Sequence, residues 1–491
     1  MKKDLRLSSI RVIGLVLGFT LQVFFTKIVG VKEYGVYTLF STWTSVFALI
    51  IILGYDKIII KELSYLYLQK HKEKFRSALD KLIIFVFINS IIFLVVALCL
   101  PQSFITTFFS KNLLRSTWIL IAVGTVIYTV FILIGKILSA TQRVELTYIR
   151  SEILYKFVWL ISVILLFYNF RAISGLNIII WGTIFAYVLT VLIFFLLLDR
   201  KKILRYLTIK KEKVSLGREN YVFFLLTFNY YLISQLDKII LGKFSSLETL
   251  GVYGLVTTLC NLIGFSTIVY QRFLPKISNY IFTDRMDDLV IEFKAIVRNA
   301  LLIALPLMGF IIVFAEDILH FFGGRYIEGA LILRVLIVGQ MFNYYTGPNG
   351  MLLINGRHSK IDFYNSCAVL ALSLILNYFG YKLYGMLGVA AATSIGVMLI
   401  NIVKVIEVKI FYKIFPYEVE NVVLTMIILF SFLIIRMCNI NINNIIFKLI
   451  TNFSLGLLTS ILACGVFYVF IDKKYDYNTL LLYFNRSKRL K

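Results

Sequence analysis

The chain has 491 residues, of which 60% are apolar and 16% charged, with a formal net charge of +25 and a mean hydropathy of +0.87. That apolar share excludes a soluble domain of this length. In a soluble chain so large a basic excess would point to nucleic acid; here membrane topology accounts for it and no nucleic-acid partner is expected. A helical span needs about 20 apolar residues. In chain order, apolar runs between charged or Gly/Asn-rich breaks fall near 10–30, 36–58, 82–100, 116–140, 153–170 and 176–198. A second series lies near 221–242, 251–271, 296–315, 331–354, 363–384 and 385–406, followed by two more near 419–437 and 446–471. Runs of this length exclude a transmembrane barrel, whose strands are about 10 residues long and alternate. The expected fold is an all-α polytopic membrane protein of about 14 transmembrane helices.

The charge pattern orients these spans. With the N-terminus inside, 38 of the 51 Lys and Arg fall on inward stretches, among them three at 136–150 and eight at 200–218, against 12 on outward loops. Lysine and arginine are retained on the cytoplasmic side, so both termini are expected in the cytoplasm. Lys2, Lys3 and Arg6 resemble the basic start of a signal peptide, but no small-x-small cleavage site follows, and the first span is expected to stay in place. Cys99, Cys260, Cys367, Cys438 and Cys464 lie in or beside apolar runs without a CxxC pair, as small core residues and not metal ligands.

Gly-Val-Tyr occurs at Gly35–Tyr37 and again at Gly251–Tyr253. A gapless shift of 216 residues superimposes the two and also places Leu39 on Leu255 and Thr42 on Thr258. Two six-helix lobes of the same orientation follow, 1–198 and 221–410, with a symmetry axis along the membrane normal. They are joined by a basic amphipathic linker at 199–220, with Ile203, Leu204, Leu207 and Ile209 among its cations, which is suited to the anionic inner leaflet. Residues 411–491 add two helices and a basic cytoplasmic tail.

The stretch "FFTKIVGVKEYGVYTLF" at 24–40 resembles the join between the first two helices of polysaccharide (O-antigen type) flippases. "DKIILGKFSSLETLGVYGL" at 237–255 resembles the matching join in their second half. Their superfamily of multidrug, oligosaccharidyl-lipid and polysaccharide exporters also holds peptidoglycan-precursor flippases and multidrug pumps, which are the alternative readings. The resemblance implies translocation of undecaprenyl-pyrophosphate-linked oligosaccharide between leaflets of the bacterial cytoplasmic membrane by alternating access. It also implies a polysaccharide polymerase and chain-length machinery as partners. No enzymatic activity or cofactor is expected beyond coupling to a proton or sodium gradient.

A charge placed in the hydrocarbon needs a partner or a wet cavity. Arg11, early in the first span, and Arg272, at the end of the eighth, are each either a snorkelling anchor or a pyrophosphate ligand. Asp56-Lys57 closes the second span and Asp237-Lys238 the seventh. Both read as ion pairs across neighbouring helices, or as phosphate-binding lysines with Asp237 as a proton carrier. Glu152 and Lys156 stand i,i+4 in the fifth span and can pair on one face, with Lys156 the deepest candidate for a cationic cavity wall. Arg334, Lys404 and Glu407 lie nearer span ends and read as anchors. The tenth span, "GQMFNYYTGPNGMLLING", is expected to break at Pro348, offering Asn343, Tyr344 and Tyr345 to sugars or burying them at a kink. No phosphate loop or HExxH motif accompanies these residues, which argues against an ATP-driven pump or a zinc enzyme.

Overall fold

The computed structural model describes residues 2–53, 55–169, 175–197, 220–264, 270, 277, 279–281, 283, 285–355, 359–438, 442 and 444–471. Among these residues the regular structure is helical and no strand occurs. The first series of helices is α1 (Lys2–Ile28), α2 (Val31–Ile52), α3 (Tyr55–Leu68), α4 (Lys72–Cys99), α5 (Gln102–Phe108), α6 (Arg115–Ala140) and α7 (Val144–Tyr148). A π-helical turn at Ile149–Leu154 then leads into α8 (Tyr155–Asn169), and α9 (Gly175–Leu197) follows. The second series is α10 (Asn220–Phe244), α11 (Leu247–Leu262), α12 (Met286–Val313), α13 (Ala315–Phe322), α14 (Ala330–Thr346), α15 (Asn349–Asn355) and α16 (Ser359–Tyr412). The last two helices are α17 (Val419–Met437) and α18 (Ile445–Ile471).

Nine segments among the described residues are long and apolar enough to cross a membrane. One of them, Ile361–Tyr412, is a hairpin: Tyr384 and Gly385 leave helical geometry, and Gly385 takes a φ of +56°, which glycine adopts without a Cβ penalty. The remaining expected spans fall on α8, α9, α10 and α11.

Several local expectations change. The second span ends at Ile52, where Leu53 closes the helix in the left-handed region at φ 47° and its N–H bonds to the Leu49 carbonyl. Asp56 and Lys57 therefore open α3 instead of closing span two; their side chains lie outside the described residues. The loop expected between spans two and three is helical over most of its length, as α3 and the start of α4. Arg272, residues 199–219 of the linker and residues 472–491 of the tail also lie outside the described residues.

The two Gly-Val-Tyr stretches meet face to face, because α2 and α11 make the most extensive interhelical contact among the described residues. A Cβ on Gly35 would run into the Leu247 carbonyl, and a Cβ on Gly251 into the Val31 carbonyl. Shifting Val31 and Gly35 by the 216-residue repeat gives Leu247 and Gly251, so the contact is reciprocal. Three residues further along, Gly254 leaves room for the side chain of Thr38. Backbones approach this closely only where both partners lack a side chain, the small-residue packing that membrane helices use in place of a hydrophobic drive. On α10, Gly242 likewise admits Leu39 of α2.

Aromatic contacts extend the seam. Phe19 of α1 packs on Phe322, with ring centroids 5.6 Å apart, and Tyr34 of α2 lies 6.2 Å from Tyr326. Tyr34 is almost fully buried and donates to Gln22 Oε1 at 2.7 Å.

The added helices are held by charge at one end. Glu316 and Asp317 of α13 receive Arg334 at 2.9 Å, Arg436 at 3.4 and 3.3 Å, and Lys448 at 3.0 Å. This network ties α14, α17 and α18 to α13. The hydrogen bond from Arg334 holds the Glu316 carboxyl below the ordinary glutamate range. A lowered folded-state value stabilises fully at neutral pH, above the unfolded value of about 4.3, and is lost as pH falls through the folded value. Because Glu316 is exposed, Glu316→Gln is expected to cost less than about 1 kcal/mol. Thermal unfolding in detergent at pH 7 should show that small loss, and the difference from wild type should shrink below pH 4.

Candidate functional site

The first cluster lies between α1 and the fifth span. The spacing of Gly14 and Gly18 on α1 opens a shallow face: a Cβ at Gly14 would stand 2.7 Å from Glu152 Cβ, and one at Gly18 would stand 3.2 Å from Lys156 Nζ. Glu152 and Lys156 occupy that face. Lys156 Nζ donates to Glu152 Oε2 at 2.6 Å and to the Gly14 carbonyl at 2.7 Å. The lysine is about one-fifth exposed, its partner about one-third. Arg11 stacks on Tyr148, its guanidinium carbon 4.2 Å from the ring centroid, and also donates to the Tyr148 hydroxyl. Arg11 and Lys156 are thus brought to one seam, with Glu152 between them along the helix.

Arg150 belongs to the same neighbourhood, although sequence counting placed it among the cations of a cytoplasmic loop. It is 3% exposed, with its guanidinium carbon 3.9 Å from the Phe131 ring centroid. Gly135 of α6 gives it room, since a Cβ there would push against Nη2 and displace the guanidinium. The only sequence signal was its position, three residues before the span read at 153–170. Around Phe131 stand Tyr155 at 5.4 Å and Tyr187 at 5.1 Å, and the last two stack at 4.9 Å with planes 8° apart. Tyr128 closes the group 5.0 Å from Tyr187. Four aromatic rings and three cations from α1, α6, α9 and the fifth span offer flat apolar faces and anion donors on one lobe.

In the second half, Asp237 is 4% exposed. Its Oδ2 accepts the Tyr253 hydroxyl at 2.8 Å and its Oδ1 accepts the Lys238 backbone N–H at 2.7 Å. The carboxylate thus engages the tyrosine of the Gly-Val-Tyr stretch in addition to the charge of the adjacent Lys238. Tyr253→Phe leaves that carboxylate short of a buried donor and is expected to lower stability by about 1–2 kcal/mol, read by thermal unfolding.

The tenth span breaks as its proline requires: α14 ends at Thr346, Gly347 takes φ +71°, and α15 restarts at Asn349. The two tyrosines before the break go to different neighbours. Tyr344 is buried and donates to the Ile263 carbonyl at 2.7 Å, just past α11. Tyr345 donates to the Asn421 carbonyl at 3.1 Å and bonds Thr425, both on α17. Asn343 is exposed, with Gln340 at 3.5 Å. These three therefore do not form one surface; the tyrosine hydroxyls are used in packing.

Two of the presumed anchors also differ. Lys404 is partly buried, 3.5 Å from the fully buried Asp362, and lies 4.4 Å over the Tyr230 ring, whose hydroxyl donates to the same carboxylate at 2.6 Å. Glu407 accepts the Asn365 amide. Arg334 donates to the Ile312 carbonyl at 3.0 Å and to Glu316. Among the described residues no group of three or more His, Cys, Asp or Glu side chains is placed to hold a metal ion.

A family described as "Polysaccharide biosynthesis protein" matches residues 2–280. The chain belongs to that family. Over 186 residues this family member is 28% identical to an uncharacterized membrane protein of Methanocaldococcus jannaschii, a match spanning 37% of this chain and 43% of the relative's length. In fold it is similar to the lipid II flippase MurJ in an inward closed conformation, with a TM-score of 0.63 at 17% identity over 94% of this chain and 98% of that one. It is also similar to an inward-facing multidrug resistance MATE family transporter of the MOP superfamily, with a TM-score of 0.64 at 14% identity over 81% and 94% of the two chains. The all-helical polytopic fold is therefore similar to that of these two solved proteins.

Proposed function

We propose that this protein translocates undecaprenyl-pyrophosphate-linked oligosaccharide repeat units from the cytoplasmic to the outer leaflet of a bacterial cytoplasmic membrane, supplying O-antigen, capsule or exopolysaccharide synthesis. Family membership and the MOP fold support a transport role and not an enzymatic one. The observation that carries the reading is the seam of Arg11 and Lys156 between α1 and the fifth span, in a lobe whose first span contains no Asp or Glu. A pyrophosphate needs cationic donors, whereas a pump for cationic drugs needs carboxylates facing its cavity; the buried carboxylates Asp237 and Asp362 belong to the second half and not to this seam.

Alternating access supplies the cycle. With both termini in the cytoplasm, the α2–α11 crossing lies toward the outer face, and its closure leaves entry from the inner leaflet. The gradient, proton or sodium, acts at Asp237, which is buried and hydrogen-bonded across α10 and α11. Membrane lipids surround the bundle, and a polysaccharide polymerase with its chain-length machinery consumes the product.

Deletion of the gene is the test. Intact lipid-linked repeat units are expected to accumulate on the cytoplasmic leaflet while surface polymer disappears, and the accumulated glycan identifies the substrate. Unchanged polymer with new sensitivity to cationic drugs would replace this reading with that of a drug pump; accumulation of a peptidoglycan precursor would make the protein a flippase of that substrate instead.

A further inference from the structure

Arg150 is a buried cation whose observed contacts leave it incompletely satisfied. Its Nε and Nη1 atoms are shielded from solvent and have no hydrogen-bond partner. Its observed support is the face of Phe131, and such a contact offsets only part of the cost of burying an ion. Unmade hydrogen bonds of a charged donor add to that cost. A residue kept solely to hold the lobe together would be better replaced by an apolar one of similar length, such as methionine.

The backbone around it is also unusual. Arg150 sits in the π-helical turn at Ile149–Leu154. Such turns insert one residue into a helix, are rare, and collect at functional sites. Relaxing the turn to α geometry rotates Arg150 by about 100° relative to Tyr155, one residue of helical twist. Such a rotation would carry the guanidinium away from its present place over Phe131 and beside Gly135. On the α1 side of the same segment stand Arg11 on Tyr148 and Lys156 on Gly14, whereas Arg150 faces α6.

We infer that Arg150 is an oxyanion ligand held in reserve: it rests on Phe131 when the protein is empty, and its unsatisfied N–H groups take a pyrophosphate oxygen of the lipid-linked substrate when the π turn relaxes. This rests on the substrate reading given above. Phe131, Tyr155 and Tyr187 then flank the bound headgroup as stacking faces for the first sugar.

The test compares thermal unfolding of purified wild type, Arg150→Met and Arg150→Lys in detergent, with and without farnesyl pyrophosphate or inorganic pyrophosphate. Without ligand, Arg150→Met is expected to unfold at the same temperature as wild type or higher, because an unpaired buried charge has been removed. With farnesyl pyrophosphate, wild type is expected to shift upward, Arg150→Met to bind at least about tenfold more weakly, and Arg150→Lys to fall between. Gly135→Ala, which keeps the charge but evicts the guanidinium from its notch, is expected to bind more tightly than wild type.

If Arg150→Met is unstable without ligand, or shifts as much as wild type, Arg150 is a structural residue and the inference falls while the substrate reading stands. Unchanged or weaker binding by Gly135→Ala contradicts the reserve position. If farnesyl pyrophosphate leaves wild type unshifted, the pyrophosphate reading itself fails and Arg150 with it. A shift of equal size with inorganic pyrophosphate alone would overturn the assignment to a lipid-linked substrate.

Discussion

Replacing Arg11 by Gln, Glu152 by Gln and Lys156 by Met in one chain is expected to abolish surface polysaccharide while the protein still reaches the membrane. The three are changed together for a physical reason. Lys156 neutralises Glu152 at 2.6 Å, so removing the lysine alone leaves a partly buried carboxylate without its counter-charge, and any loss of function would be confounded with instability. The triple variant removes one positive charge net and leaves no orphan. Each charge-assisted hydrogen bond to a phosphate contributes about 1.5–3 kcal/mol. Losing two amounts to roughly a hundred- to ten-thousand-fold weaker capture at about 1.4 kcal/mol per tenfold. Membrane fractionation and a surface-polymer blot measure the two halves of the outcome. Normal polymer in this variant would remove the seam between α1 and the fifth span from the mechanism.

A second large effect is expected where α2 crosses α11. Substituting Val for Gly35 or for Gly251 drives a side chain into the carbonyl of Leu247 or of Val31, which are backbone atoms and cannot rotate away. Overpacking a core costs about 1–3 kcal/mol when side chains can yield. Here each change is expected to cost about 3 kcal/mol or more in the crossed arrangement, falling on the conformation that brings these helices together. Because the contact is reciprocal under the 216-residue shift, the two substitutions should have similar consequences. The measurement is disulfide cross-linking between cysteines introduced at Val31 and Leu247. Efficient cross-linking in an otherwise wild-type chain should collapse when Val replaces Gly251 or Gly35, and retention would show that the crossing tolerates separation.

Much of the architecture was legible because it depends on composition and period. Apolar runs of about twenty residues specify spans, and Gly347-Pro348 and Tyr384-Gly385 mark a broken helix and a hairpin by ordinary backbone rules. The repeat was visible as Gly-Val-Tyr, and the glycines carried its reason: they stand where two backbones touch. What escaped detection depends on tertiary contacts. Leu53 carries no turn signal, so the end of span two was placed several residues late, and Asp56-Lys57 was assigned to the wrong helix. A π turn has no sequence signature, and charge counting treats a cation near a span end as a loop residue, which concealed Arg150. Lys404 was read as an anchor because its partner Asp362 lies some forty residues away along the chain. Tyr344 and Tyr345 read as sugar-facing or as buried at a kink; a helix turns about 100° per residue, and their hydroxyls reach Ile263 just past α11 and Asn421 of α17.

The central claim is that the protein carries a pyrophosphate-linked glycan across the bilayer. Its most direct test is reconstitution into liposomes loaded with undecaprenyl-pyrophosphate oligosaccharide, followed by the fraction of glycan open to an enzyme or lectin added outside. Protein-containing vesicles should expose nearly all of the glycan over time, and vesicles with the Arg11, Glu152 and Lys156 triple variant should stay at the protein-free level of about half. Equal exposure with and without protein, under an imposed proton or sodium gradient, would contradict the account.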